Sequence, residues 1–283
     1  MVQEAPAEAR EPRRRVRLYR TQAIVLRRTD VGEADRLVTV LTPERGKLRL
    51  LAKGARRPTS RKAGHLELFT HVHLLVAEGQ SLDLITQAET VEAFRPLRED
   101  LLRAAHAYYV AELVDRFAPE ELENRDLFHL FRDTLERLAR TSNLPLTTRY
   151  FELHLLRVAG YQPQLYRCVR CGTLLEPVQN WFSPADGGVC CPRCGEGQRD
   201  LVPLTLPAFK VLRFLQSRPY EVVIPLRLSP QVMAEVEDIL RHNLEYHLER
   251  RLESAALLKR LRTATLAARG TGPPSDPTAA AQG

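Results

Sequence analysis

Residues 21–53 read TQAIVLRRTDVGEADRLVTVLTPERGKLRLLAK. Three short runs rich in Val, Ile, Leu and Thr stand out: Thr21–Arg28, Asp35–Thr42 and Gly46–Lys53. Turn residues separate them, first Asp30 and Gly32, then Pro43 and Gly46, and Gly54 closes the third. Two further runs follow, Glu67–Ala77 and Leu82–Val91, joined by the hairpin-like Glu78-Gly79-Gln80-Ser81. Five short strands within about 75 residues predict a small closed barrel, and a five-stranded Greek-key barrel is the OB-fold pattern. An SH3-like barrel would give a similar string, so the spacing alone leaves both open.

The same stretch carries most of the charge. The chain has 283 residues and a formal net charge of +7. Between Arg13 and Lys62 there are 16 Lys or Arg against 4 Asp or Glu, and the rest of the chain is net acidic. A cationic end on a mildly acidic body implies a polyanion-binding face. The densest segment is Lys53-Gly54-Ala55-Arg56-Arg57-Pro58-Thr59-Ser60-Arg61-Lys62, in the loop after the third strand. Gly54 and Gly64 bracket it and predict a movable loop. Its Lys53, Arg56, Arg57, Arg61 and Lys62, together with Arg27, Arg28, Lys47 and Arg49 on neighbouring strands, are the candidate phosphate contacts. Residues 21–65 contain no Phe, Tyr or Trp. Tight single-strand binders stack bases on aromatic rings, so this barrel predicts a backbone-dominated, sequence-neutral grip on single- and double-stranded nucleic acid. A reader of base sequence would want a recognition helix.

After Phe94 the apolar period becomes helical. Leu97, Leu101, Ala105, Tyr108, Leu113 and Phe117 fit one helix, and Arg125–Arg140 fits another. A third spans about Thr148–Val158, and Pro207–Gln216 a fourth. Ser229-Pro230, an N-cap and N1 pair, opens a long final helix with a stripe from Val232 through Leu248 to Leu252 and Ala255. The domain plan is therefore a flexible basic extension (1–16), a barrel (17–94), a helical domain (95–264) and a disordered tail (265–283).

The helical domain holds a Cys-rich, Gly/Pro-rich module at 167–200. Cys168-x2-Cys171 and Cys191-x2-Cys194 lie 19 residues apart, the spacing of paired zinc knuckles. Two thiolates two residues apart reach one ion from a tight turn, and two such turns close a tetrahedral site. Gly172 and Gly195 follow the pairs and should free backbone N–H groups to turn toward sulfur. Four thiolates leave no open coordination position, so this zinc is expected to be structural. Cys190 is the fifth thiol, expected to be packed.

Other classes find little support. No Walker A, kinase loop or GxSxG occurs, so no enzymatic chemistry is expected. No apolar run approaches the ~20 residues that cross a bilayer, and Met1–Arg15 is not a secretory signal. The cysteine pairs fit a reducing cytoplasm. The remaining alternatives are a generic zinc-ribbon module in RNA or transcription processes and an enzyme using the helical cleft.

Several motifs, taken in order, resemble the RecO family of bacterial DNA repair. Thr21-Gln22-Ala23-Ile24-Val25-Leu26 is similar to its opening strand. Gly32-Glu33-Ala34-Asp35-Arg36, followed by Leu41-Thr42-Pro43-Glu44-Arg45-Gly46-Lys47, resembles its signature, and Lys53-Gly54-Ala55-Arg56-Arg57 its basic loop. The likeness covers roughly residues 17–262. It implies an α+β multidomain chain: an OB-fold barrel, a helical domain, and a four-cysteine zinc module inserted before the C-terminal helices. It further implies DNA annealing and help in loading RecA onto single-stranded DNA with RecR and RecF. Binding of the acidic, Phe-ended tail of single-stranded DNA-binding protein is also implied. Such a tail needs cations beside an apolar groove, and helix Arg125–Arg140 offers Arg132 and Arg137 beside Phe128, Phe131 and Leu135.

Overall fold

A computed structural model describes residues 17–258, 260 and 261. The expected extension at 1–16 and the tail at 265–283 lie outside the described residues. Five strands, β1 (Leu18–Val31), β2 (Asp35–Thr42), β3 (Gly46–Ala52), β4 (His71–Ala77) and β5 (Asp83–Glu92), close a barrel in the order β1-β2-β3-β5-β4. Neighbours are antiparallel except β3 and β5, which run parallel through Leu50–Asp83 and Leu51–Leu84. This crossing order is OB-fold connectivity and settles the choice left open by spacing.

Alternation explains the barrel's filling. Val25, Val38, Val40, Leu50, Val72 and Ile85 point inward and form a separate core. Residues of opposite parity, Ile24, Leu26 and Leu41, are also buried, but in the core of the helical domain. The barrel is thus apolar inside and again along one outer stripe, where helices cover it. The fourth strand begins at His71, four residues later than the pattern Glu67–Ala77 predicted. Phe69 takes a left-handed φ of 65° just before it, which a strand cannot contain. Its buried ring meets Tyr108 edge-on at 5.1 Å.

The helical domain contains α1 (Pro96–Glu99), α2 (Leu101–Phe117), α3 (Arg125–Arg140) and α4 (Leu144–Val158). The single helix expected from Leu97 to Phe117 is broken at Asp100. That residue is extended and its carboxylate caps α2 by accepting from the Arg103 N–H. The third helix starts at Leu144, before Thr148, because Asn143 caps it. A small sheet of β6 (Asn180–Ser183), β7 (Gly188–Cys190) and β8 (Val202–Leu204), with the one-turn α5 (Pro192–Gly195), forms the cysteine module. Then come α6 (Leu206–Ser217), α7 (Tyr220–Val223) and α8 (Pro230–Leu248). The last helix stops before Leu252 and Ala255, because Glu249 turns left-handed at φ 52°. Beyond it, Glu112 of α2 accepts from the Glu253 and Ser254 N–H groups. This ties the following helical segment to the body.

The barrel is clamped to the helices at the β2–β3 hairpin. Lys47 N–H donates to Pro119 O and Glu121 N–H to Lys47 O. A Cβ at Gly46 would stand 2.1 Å from Leu122 O, so only glycine lets the chains approach. Buried between α2, α4 and α8, Arg149 pairs with Glu152 at 2.9 Å, and Tyr109 donates to the same carboxylate at 2.5 Å. Burial, against the attraction of Arg149, raises Glu152 to about 7.

Candidate nucleic-acid interface and metal centre

The nine barrel cations predicted from sequence divide into two groups. Arg27 and Arg49 are exposed and are both in register with Thr39 of β2, so one row of three neighbouring strands carries both. Lys53, Arg57 and Arg61 are exposed in the loop that follows β3, and none of these five has a charged partner among the described residues. Arg56 is exposed too, but its guanidinium reaches Asp30 at 3.3 Å and Gly32 O at 3.1 Å.

The other three cations are engaged elsewhere. Arg28 pairs with Glu67 at 2.5 Å. The Lys47 ammonium donates to Asp115 O at 2.5 Å and lies 3.3 Å from its carboxylate. Lys62 turns inward to Ile85 O at 2.9 Å, and burial lowers its pKa. Their charge is directed to folding contacts, which local sequence does not reveal.

The loop is also less free than its glycines suggested. Gly54 N–H donates to Asp35 at 2.8 Å. Arg56 N–H donates to Ala34 O at 2.9 Å, and Ala55 is buried. The loop is folded back on the β1–β2 turn, so the expectation of a movable loop is corrected. Among the described residues, the Phe and Tyr nearest in sequence offer it no free face: Phe69 and Phe94 are buried, and Tyr19 lies under Arg45 at 3.8 Å.

Helix α3 changes the reading of the partner site. Phe128, Phe131 and Leu135 are buried in the main core, so they offer no groove. Arg132 pairs with its neighbour Asp133 at 2.7 Å. Arg137 lies 4.2 Å over the Tyr220 ring. It lines an open groove of about 610 Å³ with Arg140, Tyr220 and Ile224, but Asp133, Glu136 and Glu221 line the same groove and Arg140 pairs with Glu136 at 2.9 Å. Sequence separation of 83 residues hid the Tyr220 contact.

The four cysteines converge. The sulfurs of Cys168, Cys171, Cys191 and Cys194 all lie within 4.8 Å of one another. In a tetrahedral centre with metal–sulfur bonds of about 2.3 Å, sulfurs stand about 3.8 Å apart, and Cys171 and Cys191 are separated by 3.7 Å. Cys191 N–H points at the Cys168 sulfur at 3.3 Å. The Thr173 hydroxyl and backbone amide pull the Cys171 thiol down to about 6. Hydrogen bonds to the Cys171 and Cys191 sulfurs push Cys194 up to about 12. Four thiols this close cannot all ionise unaided, and a divalent cation removes that repulsion. The donor set therefore fits a metal. Cys190 stays apart, fully buried on β7, and burial raises it to about 11.

The two glycines after the knuckles serve different needs. Gly172 is left-handed, at φ 74°, and its N–H donates to Cys168 O. Gly195 has no positive φ; a Cβ there would stand 2.8 Å from the Trp181 side chain. Arg170 joins the knuckles, reaching Asp186 at 2.9 Å and Cys194 O at 3.3 Å.

An OB-fold barrel with a cationic outer row, docked on helices that carry a four-thiolate centre, defines a class of multidomain protein and not a lone zinc ribbon. The family described as Recombination protein O N terminal matches residues 16–94, and Recombination protein O C terminal matches residues 98–256. A relative from Roseiflexus sp. (strain RS-1), called DNA repair protein RecO, is 50% identical over 248 residues, covering 88% of this chain and 87% of its own. Another of that name from Dehalococcoides mccartyi (strain 195) is 38% identical, covering 88% and 98%. One from Symbiobacterium thermophilum is 38% identical over 252 residues, covering 87% and 99%. The chain belongs to the RecO family. No helix among the described residues is long and apolar enough to cross a membrane.

Proposed function

We propose that this protein is a cytoplasmic, nucleoid-associated DNA repair factor that binds single- and double-stranded DNA, anneals complementary strands and has no enzymatic activity of its own. The observation that carries DNA binding is the set of five exposed cations without charged partners, Arg27, Arg49, Lys53, Arg57 and Arg61, on adjoining parts of one barrel. Phosphates are their natural partners, since no ring stands by to stack bases. Annealing follows from the same surface, because cations screen two approaching strands.

Help in loading RecA, with RecR and RecF as partners, comes from the family alone. For the tail of single-stranded DNA-binding protein, Arg137 and Arg140 beside Tyr220 are the cations left to test, against the opposing charge of Asp133, Glu136 and Glu221 in the same groove. The metal is zinc: four thiolates suit it, and a closed set gives it a structural role.

A strand-annealing and binding assay over a salt series tests this. Replacing Arg49, Lys53, Arg57 and Arg61 together by Ala leaves Arg56 and Lys62 in their folding contacts. Binding to an oligonucleotide and to its duplex should weaken on the order of 100-fold at low salt. The log–log salt slope should flatten by about 3, from 0.7 to 0.9 per phosphate contact. An unchanged slope with unchanged annealing would remove this surface from DNA binding.

A further inference from the structure

Two carboxylates sit inside the basic surface, where a polyanion would be repelled. Asp35 opens β2 and Asp30 is the last residue but one of β1, on either side of the turn that the loop folds onto. Asp35 accepts the Gly54 N–H at 2.8 Å, at the start of the loop. That bond fixes the start of a segment whose closure would otherwise cost chain entropy, and Lys62 anchors its far end on Ile85 O at 2.9 Å. Asp30 bridges Arg36 at 3.0 Å and Arg56 at 3.3 Å. Between these anchors the backbone turns on itself: Arg57 N–H donates to Gly54 O at 3.1 Å and Ser60 N–H to Arg57 O at 2.9 Å. Arg56 is drawn toward the turn, while Lys53, Arg57 and Arg61 are left exposed.

We propose that Asp35, assisted by Asp30, is a positioning residue for polyanion binding: it holds loop 53–62 against the β1–β2 turn, so that Lys53, Arg57 and Arg61 meet phosphates as a fixed array. This rests on the DNA-binding reading above. The physical reason is preorganisation. Long cationic side chains on a free loop lose much of their contact energy to ordering. A loop already closed by its own carboxylates loses less. The Gly32–Arg36 motif then gains a function: its Asp35 and its Ala34 carbonyl are the dock on which the basic loop rests.

The prediction has a sign that bulk electrostatics reverses. Removing a carboxylate from a basic surface raises the local positive charge and, by charge alone, tightens binding to DNA. Positioning predicts the opposite. Asp35→Ala should bind a mixed-sequence oligonucleotide about 5- to 10-fold more weakly near 0.1 M salt, with a salt slope flatter by about 1 to 2. Trypsin should cut after Arg56, Arg61 and Lys62 faster than in the wild-type chain. Asp35→Asn keeps an oxygen for the Gly54 N–H and should recover most of the affinity. Asp30→Asn alters two surface pairs, with Arg36 and Arg56, should leave the barrel folded, and should weaken binding by about 2-fold.

The full chain is used throughout, with thermal melting as a check that the barrel persists. If Asp35→Ala does not fold, Asp35→Asn and Asp30→Asn carry the test, and tighter binding by both overturns the proposal. Equal or tighter binding by a folded Asp35→Ala, while the quadruple Arg/Lys variant has lost binding, also overturns it and leaves the DNA reading standing. If the quadruple variant binds normally, the DNA reading fails first and the proposal falls with it.

Discussion

The barrel and the cysteine module are both built on mostly antiparallel strands, yet they are held together differently. The barrel encloses its own apolar core, with Val25, Val38, Leu50 and Ile85 nearly or wholly inaccessible. The module has no such interior. Its buried residues, Leu165, Phe182 and Val189 among them, belong to the core of the adjoining helices. Between its strands stand thiols. Apolar burial therefore explains the barrel, whereas the module relies on docking, and its four clustered thiols could hold an ion. A fold that encloses its own core can devote its outer charges to a ligand; a fold that lacks one needs its polar groups for itself, as Arg170 shows.

Metal removal should separate the two regions most sharply. Cys171→Ser, or a strong chelator, should release the ion and loosen residues 167–200, because a structural zinc contributes on the order of 10 kcal/mol to the fold it closes. Metal analysis and hydrogen exchange would follow the loss. The barrel amides should stay protected, and simultaneous loss of protection in both would erase the distinction drawn here. Cys190→Ser should retain the metal, since that thiol faces away from the cluster.

The reciprocal experiment is Leu50→Ala. Deleting most of a fully buried side chain should cost the barrel about 3 kcal/mol. Metal content should remain at one ion per chain. Denaturant unfolding read by barrel and module probes would show whether the two transitions move together.

Lys47→Met tests the seam between barrel and helical body. Its ammonium is largely covered and bonded to Asp115, so the change should cost about 1–2 kcal/mol of stability. DNA affinity should change by less than about 2-fold, since this cation does not contribute to the salt slope. A drop as large as that of an exposed arginine would restore Lys47 to the DNA surface.

The smallest effect expected is on pH. Burial depresses both His71, at the barrel–helix contact, and His154, on α4, to about 4. Both are neutral when folded near pH 6, while an unfolded histidine protonates near 6.5. The unfolded chain then binds more protons, so stability falls as pH drops from about 6.5 toward 4. The loss should be about 1 kcal/mol per histidine by pH 5.5. Glu152, raised to about 7, takes up its proton in the folded chain over the same range and opposes it. The histidine share is therefore read from the difference between the wild-type chain and His71→Gln. Melting temperatures measured between pH 7 and 5 would check the sign.

Much of this was legible in the chain. Strand β2 falls at Asp35–Thr42 as read, and α3 at Arg125–Arg140, because alternation and helical period are local properties bounded by local turn and cap residues. The thiol cluster was legible from spacing, since two CxxC turns have few other uses. What failed was also local in origin. Leu252 and Ala255 continue the period of α8, but a period does not record that Glu249 turns left-handed. Phe131 and Leu135 lie on one apolar stripe with Leu127 and Leu138 and are core, as that spacing implies; Phe128 lies at the edge of that stripe and is buried as well, which spacing did not show.

The sequence by itself determined that there would be five strands, a helical body, four thiolates on one centre and an excess of positive charge at one end. Each follows from residue type and short-range spacing. Only the tertiary structure decided which cations remain for a ligand. Arg27 and Arg28 are adjacent and chemically identical, but Arg28 meets Glu67, 39 residues away, and Arg27 meets no carboxylate among the described residues. Lys47 meets Asp115 across 68 residues, and Lys62 meets Ile85 across 23. A cation's availability depends on what packing brings within about 4 Å of it, and that distance is set by the fold of the whole chain and not by its neighbours in sequence.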